Sequence, residues 1–293
     1  MAGAGVREYK RRIRSVKNMQ QITKAMKMVA AAKLRRAQER AEASRPYTDT
    51  LQGTLARLAA VAYDVRHPLL EVREEVRKVG YIVITGDRGL CGAFNTNVIR
   101  AATTAMAEDK RNVQNGIIAV GRRGRDFFRK RGGVDAEFVN LGDNPSYADA
   151  REIGRYIMNA YENEELDEVY LVYGRFINVL RQVPTVHKIL PLEPPQQEET
   201  EEQYVDYIYE PSAEDILLTL LPRYIGSQIY HALLESKASE LGARMTAMSN
   251  ATENAGEIID TLTLEMNKVR QAAITDEILD IVGGAEALKK GGK

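Results

Sequence analysis

The chain has 293 residues, 44% of them hydrophobic and 28% charged, with 41 Lys and Arg balanced by 41 Asp and Glu. That apolar content supports one large folded domain or two ordinary ones. Charges break every apolar run before the roughly 18 to 20 residues that a membrane-spanning helix needs. A single cysteine, Cys91, excludes an internal disulfide, and with only His67, His187 and His231 the chain offers no zinc ligand set.

The zero net charge hides a polar distribution. Residues 1–45 carry thirteen Lys or Arg against Glu8, Glu39 and Glu42. A basic, acid-poor start also suits a transit peptide, but the periodic pattern continues past Leu34 with no cleavage-like break. This segment is rich in Ala, Lys, Arg, Met and Gln, with no proline before Pro46, and so predicts a helix. Its apolar stripe runs through Tyr9, Ile13 and Val16 to Met19, Ile22, Met26 and Val29. It continues through Ala30, Leu34, Ala37 and Ala41, and Leu51, Leu55 and Leu58 extend it. Alanines at the seam allow close approach of a second helix, either the C-terminal one packed antiparallel or another copy of the same segment.

The pattern then changes period. Residues 81–85, 117–120 and 169–173 read as buried strands, alternating with helical stretches near 95–109, 122–131 and 146–162. Such alternation predicts a mostly parallel sheet with helices on its faces. Phe176–Leu180 and Val183–Leu190 read as a hairpin added to that sheet, and the Pro- and Glu-rich stretch 193–203 reads as an exposed loop.

Ser212 is placed to cap a last helix, with Glu214 and Asp215 at its positive end. Leu234, Ala238, Leu241, Met245, Met248, Thr252, Ala255, Ile259, Leu262, Met266, Val269 and Ala273 are spaced 4,3,4,3 throughout. A heptad repeat this long predicts a left-handed coiled coil. Past Ala273 the stripe moves by one position to Ile274, Ile278 and Ile281. A kink is expected near Pro222, and from there to Gly283 about 60 residues at roughly 1.5 Å each span on the order of 90 Å. The expected organisation is a coiled-coil helix over 1–65, a central Rossmann-like α/β domain over 66–210 and a second coiled-coil helix over 211–293.

Candidate chemistry is sparse. Gly86-Asp87-Arg88-Gly89-Leu90-Cys91-Gly92 lies between a strand and a helix, where an α/β domain places a phosphate loop. Its spacing is G-x-x-G-x-x-G, not G-x-G-x-x-G, and no G-K-[ST] follows, so a structural turn is preferred to a nucleotide site. Neither a G-x-S-x-G elbow nor an H-E-x-x-H helix is present. Cys91 reads as a small buried hydrophobe in preference to a reactive thiol, and His231 as packing. The basic first helix has Tyr9 and Tyr47 as its only aromatics, which argues against stacking on nucleic-acid bases. Its basic face is either solvated or set against an acidic protein surface.

The motifs themselves are more specific. Arg14-Ser15-Val16-Lys17-Asn18, Gln21-Ile22-Thr23-Lys24-Ala25-Met26 and Met28-Val29-Ala30-Ala31 resemble the first helix of the F-type ATP synthase γ subunit. The run from Thr85 to Gly92 with Asn95, the Tyr209-Glu210-Pro211 turn and Glu235-Ser236-Lys237-Ala238-Ser239-Glu240 resemble that family too. So do Ala243-Arg244-Met245, the segment from Arg270 to Glu277, Asp280 and Gly284-Ala285, which keeps the order over nearly the whole chain.

The resemblance implies a rotor shaft that transmits torque between a membrane c-ring and catalytic β subunits, with no chemistry and no cofactor of its own. Implied partners are the ring of α and β subunits, the ε subunit and the c-ring, with no nucleic acid. It places Met26, Lys27, Arg244, Arg270, Gln271, Thr275 and Glu277 against the β subunits. Lys33, Arg35, Arg36, Tyr207, Tyr209 and Glu210 fall at the end that meets the c-ring and ε. Lys27 stands where some members carry Glu. The cysteine pair of the chloroplast form is missing, and the length without a presequence implies a bacterial enzyme, peripheral on the cytoplasmic face of the inner membrane. The competing readings are a nucleotide-dependent enzyme built on the α/β domain and a basic coiled-coil scaffold for nucleic acid.

Overall fold

A computed structural model describes residues 2–61, 67–192, 210 and 212–290. The elements in chain order are α1 (Ala2–Val61), a 3-10 turn (Pro68–Leu70), β1 (Lys78–Ile84), α2 (Phe94–Glu108), β2 (Gln114–Val120) and α3 (Arg122–Arg129). They continue with β3 (Ala136–Phe138), α4 (Tyr147–Glu162), β4 (Glu168–Phe176), β5 (Gln182–Leu190) and α5 (Ala213–Lys290). The predicted loop 193–203 lies outside the described residues. The chain forms two compact units, one from Met1–Val29 with Ala247–Lys293 and one from Ala30–Thr246. Each long helix contributes to both.

In the larger unit, five strands are ordered β3-β2-β1-β4-β5. Three β-strand–helix–β-strand crossovers make the first four parallel, and β5 returns antiparallel to β4. The alternating core residues of the strands split between two faces. Val79, Tyr81 and Val83 pack with Phe94, Val98 and Ala102 of α2 and Phe128 of α3. Ile82, Ile84, Ile118 and Leu171 face the other way, against Ile153, Ile157 and Tyr161 of α4. That second face is also covered by Leu51, Leu55 and Leu58 of α1 and by Leu217, Leu221, Ile225 and Ile229 of α5. The later half of α1 and the early half of α5 are therefore a layer of the α/β core.

The helix starts follow their caps. Ser146 and Asp149 form a capping box at α4. Ser212 Oγ accepts the Asp215 amide at 3.1 Å as α5 begins. The helix continues through Pro222, and α1 likewise continues through Pro46. Two expectations about the sheet are corrected. Phe176–Leu180 is not a strand: β4 ends at Phe176, and residues 177–181 turn the chain into β5, with the Asn178 side chain accepting the Leu180 and Arg181 amides. The strand β3 went unanticipated, because three residues are too few to show a period of two.

In the smaller unit α1 and α5 run antiparallel. Gly5 faces Val269, Gln20 lies beside Gly256, and Lys27 Nζ donates to Ser249 Oγ at 2.9 Å. On α5 the predicted heptad is the covered line: Met248 and Ala255 are buried, and Thr252, Ile259, Leu262, Met266, Val269 and Ala273 are partly covered. On α1 the predicted stripe is corrected. The 4,3 spacing from Val16 passes through Gln20 and Thr23, which turn inward, and leaves Met19 (56% exposed), Ile22 (55%) and Val29 (53%) outside. Geometry wins over hydrophobicity here, because a one-residue shift rotates a helical position by about 100°. The shifted stripe after Ala273 is also uncovered, with Ile274, Ile278 and Ile281 all exposed. Along α1, Gly5 lies opposite Val269, before this stripe begins.

Candidate coupling surfaces

The glycine loop after β1 is held by its own chain. The Gly86 amide donates to Asn95 Oδ1 at 2.8 Å, and Asn95 Nδ2 lies 3.1 Å from Cys91 Sγ. Asp87 Oδ1 accepts the amides of Arg122, at the start of α3, and Asn140. The Asp87 carboxylate is thereby held at the N-terminus of α3, tying the loop to the next strand–helix junction. Thr85 Oγ1 accepts the Gly124 amide at 2.9 Å, and a Cβ on Gly121, whose φ is 89°, would sit 2.1 Å from the Thr85 carbonyl oxygen. These bonds support the reading of the loop as a structural turn. Cys91 is buried, and burial pushes its thiol pKa up, the direction opposite to activation.

A wider cleft opens between α2 and the β4–β5 end of the sheet, over the stacked rings of Tyr81 and Tyr170, 5.6 Å apart. Burial raises the Tyr81 hydroxyl to about 12. The cleft's central cation, Arg111, is bonded to Asp109 at 2.8 Å and to Glu168 at 2.7 Å. Lys188 is 3.0 Å from the other Glu168 oxygen, so the charges at this end of the sheet neutralise one another. Among the described residues no three His, Cys, Asp or Glu side chains gather as a metal site, and no helix is long and apolar enough to cross a membrane.

The residues proposed from sequence fall into three groups. On the smaller unit, Arg270, Gln271, Thr275 and Glu277 are exposed along α5, with Thr275 Oγ1 donating only to the Gln271 carbonyl within the helix. Met26 is half-covered, and Lys27 is exposed while bonded to Ser249. In the larger unit, Arg35 and Arg36 are exposed, Arg35 pairing with Glu39 four residues on, and Glu210 is exposed. Tyr207 and Tyr209 lie outside the described residues.

Lys33 and Arg244 differ from the exposed charged residues, because they are partly buried as well as paired. Lys33 Nζ is 2.6 Å from Asp143, and Arg244 Nη2 is 2.6 Å from the buried Glu240 and 3.2 Å from the Gly89 carbonyl. Glu240, Lys237 and Asp143 were missed as functional candidates. Two of them stood inside the quoted Glu235–Glu240 motif, and only folding reveals what that motif faces.

Comparison with known proteins agrees with this arrangement. The family model described as ATP synthase matches residues 5–288. An ATP synthase gamma chain from Desulfitobacterium hafniense is 57% identical over 98% of this chain and 100% of its own. The chain belongs to the ATP synthase gamma chain family. A second gamma chain, from Pelotomaculum thermopropionicum, is 54% identical over 97% of this chain and 99% of its own.

Among solved structures, the central stalk and c-ring of the Tetrahymena thermophila mitochondrial ATP synthase contains a chain with 27% identity and a TM-score of 0.60. The match covers 78% of this chain and 99% of that one. A chain of the Euglena gracilis mitochondrial enzyme shares the fold at 21% identity and a TM-score of 0.68, covering 99% of this chain and 97% of its own.

Proposed function

We propose that this chain is the rotor shaft of a proton-translocating ATP synthase, carrying torque between a membrane c-ring and the catalytic β subunits without catalysing a reaction itself. The observation that carries the reading is the end-to-end likeness to ATP synthase gamma chains, 57% identical over 98% of the chain. The exposed segment of α5 beyond Ala273 fits it, because Ile274, Ile278, Leu279 and Ile281 have no covering partner in their unit and suit an apolar collar of surrounding subunits.

In this reading Arg270, Gln271, Thr275 and Glu277 meet the β subunits, with Met26 and Lys27 beside them on α1. Arg35, Arg36, Tyr207, Tyr209 and Glu210 meet the c-ring and the ε subunit. Arg244 and Lys33 belong to the same two surfaces while bonded within their unit. The chain is then peripheral on the cytoplasmic face of a bacterial inner membrane, held there by its complex.

Ending the chain after Leu262 removes Arg270–Glu277 and the exposed apolar segment together. In a reconstituted complex it should leave ATP hydrolysis running while abolishing ATP-driven proton pumping. Pumping at the level of the full chain would overturn the proposal. Co-purification with α and β subunits provides a second check.

A further inference from the structure

In an open α/β sheet the ligand crevice lies beyond the carboxyl ends of the strands. Here that crevice, past β1 and β2, is reduced to a cavity of about 40 Å³ bounded by Thr85, Gly86 and Asp87 on one side and by Ser236, Lys237 and Glu240 of α5 on the other. The group that fills it is the Glu240 carboxylate. A Cβ on Gly86 would stand 2.9 Å from Glu240 Cδ and 3.0 Å from Oε1, so this glycine is where the sheet admits the acid.

The carboxylate is sandwiched between Arg244 at 2.6 Å and Lys237 at 3.1 Å, with only 5% of its side chain exposed. The chain of charges continues outward. Lys237 also approaches Asp143, 3.4 Å away on the loop before α4, and Asp143 receives Lys33 of α1 at 2.6 Å. Arg244 closes the other end on the Gly89 carbonyl. Two helices and two loops of the larger unit are thereby linked through one buried acid.

We propose that Glu240 is a positioning residue for torque transfer: α5 plugs the crevice of the α/β domain with its own carboxylate, and Lys237, Arg244 and Asp143 keep it seated. The proposal rests on the rotor reading. Apolar contact between a helix and a sheet resists separation but has no preferred direction, whereas charge-assisted hydrogen bonds weaken steeply as their angles change. A load that drags α5 along the sheet is therefore resisted by this node more than by the surrounding aliphatic packing.

The test uses the complete membrane complex, measuring ATP hydrolysis with and without an opposing proton gradient. Glu240→Gln should leave unloaded hydrolysis close to the parent's. Under load, slip should rise about tenfold, the factor matching about 1.4 kcal/mol lost from a charge-assisted bond. The triple variant Lys237→Met, Glu240→Met, Arg244→Met separates positioning from stability, because apolar replacement of a whole buried charge cluster often preserves stability. It should melt near the parent's temperature and still slip.

If either variant holds load as the parent does, the inference is overturned while the rotor reading stands. If the parent complex builds no ATP-driven gradient, it is the rotor reading that fails. If Glu240→Gln does not assemble, Asp143→Asn at the exposed rim decides by the same loaded measurement.

Discussion

The same two helices behave differently in the two units. In the larger unit α1 places Leu34, Leu51, Leu55 and Leu58 inside, each no more than 6% exposed, and α5 does the same with Leu217, Leu221, Ile225 and Ile229. In the smaller unit the seam includes polar and small groups. Thr252 Oγ1 donates to Thr23 Oγ1 at 2.8 Å, and Gln20 Nε2 donates to the Thr252 carbonyl at 3.4 Å. The large apolar side chains Met19, Ile22 and Val29 face outward. A helix that forms one layer of an α/β core points its apolar side inward, whereas a helix with one slender partner leaves much of that side exposed. The contrast separates residues that hold the α/β core from residues that the smaller unit leaves uncovered.

The largest expected effect lies in the core. Ile225→Ala, at a fully buried position, should cost about 2–5 kcal/mol in denaturant unfolding. A loss below 1 kcal/mol would show that α5 is not integral to the α/β core.

Acid should act on the larger unit next. Asp143 has its pKa lowered, first by the hydrogen bond from Lys33, with burial opposing and Lys237 assisting. Burial raises Glu168, but the hydrogen bonds from Arg111 and Lys188 outweigh it and leave its pKa lowered too. A carboxyl depressed in the folded state stabilises the fold above its unfolded pKa of about 4, and that contribution disappears as pH falls through the folded value. Melting temperature should therefore drop as pH is lowered from about 5 toward 2, and the drop should be shallower in Asp143→Asn. Equal slopes would remove Asp143 from the set of groups that matter.

A smaller effect is expected at the polar seam. In Thr23→Val the Thr252 hydroxyl can turn its one proton to the Met248 carbonyl, 2.7 Å away, so the substitution should cost only about 1 kcal/mol in thermal unfolding. Ile22→Ala should change stability least, by less than about 0.5 kcal/mol, because the side chain is exposed. The same substitution should weaken assembly with the α and β subunits, measured by co-purification. A destabilisation as large as that of Ile225→Ala would erase the distinction between the two units.

The α5 heptad was legible because its apolar residues keep one spacing from Leu234 to Ala273, and the covered line follows it. The strands were legible as short apolar runs between glycines and charges. The α1 stripe was not, since choosing the apolar residue at each turn selects Met19 and Ile22, while constant spacing selects Gln20 and Thr23. The candidate contact residues on α5 were marked by the motif they share with the family. Gly86, Lys237, Glu240 and Arg244 also stand inside shared motifs, but Asp143 does not. That they form one node was not legible, because Gly86, Asp143 and Glu240 lie far apart in the chain and nothing local relates them.

Sequence alone determined the two long helices, the parallel sheet between them and the family, because each depends on local periodicity or on an ordered string of motifs. Tertiary structure decided which side of α1 turns inward, where α1 ceases to cover α5, and what fills the crevice of the sheet. Those three depend on the meeting of surfaces from distant parts of the chain, where a shift of one residue rotates every side chain of a helix to a new direction.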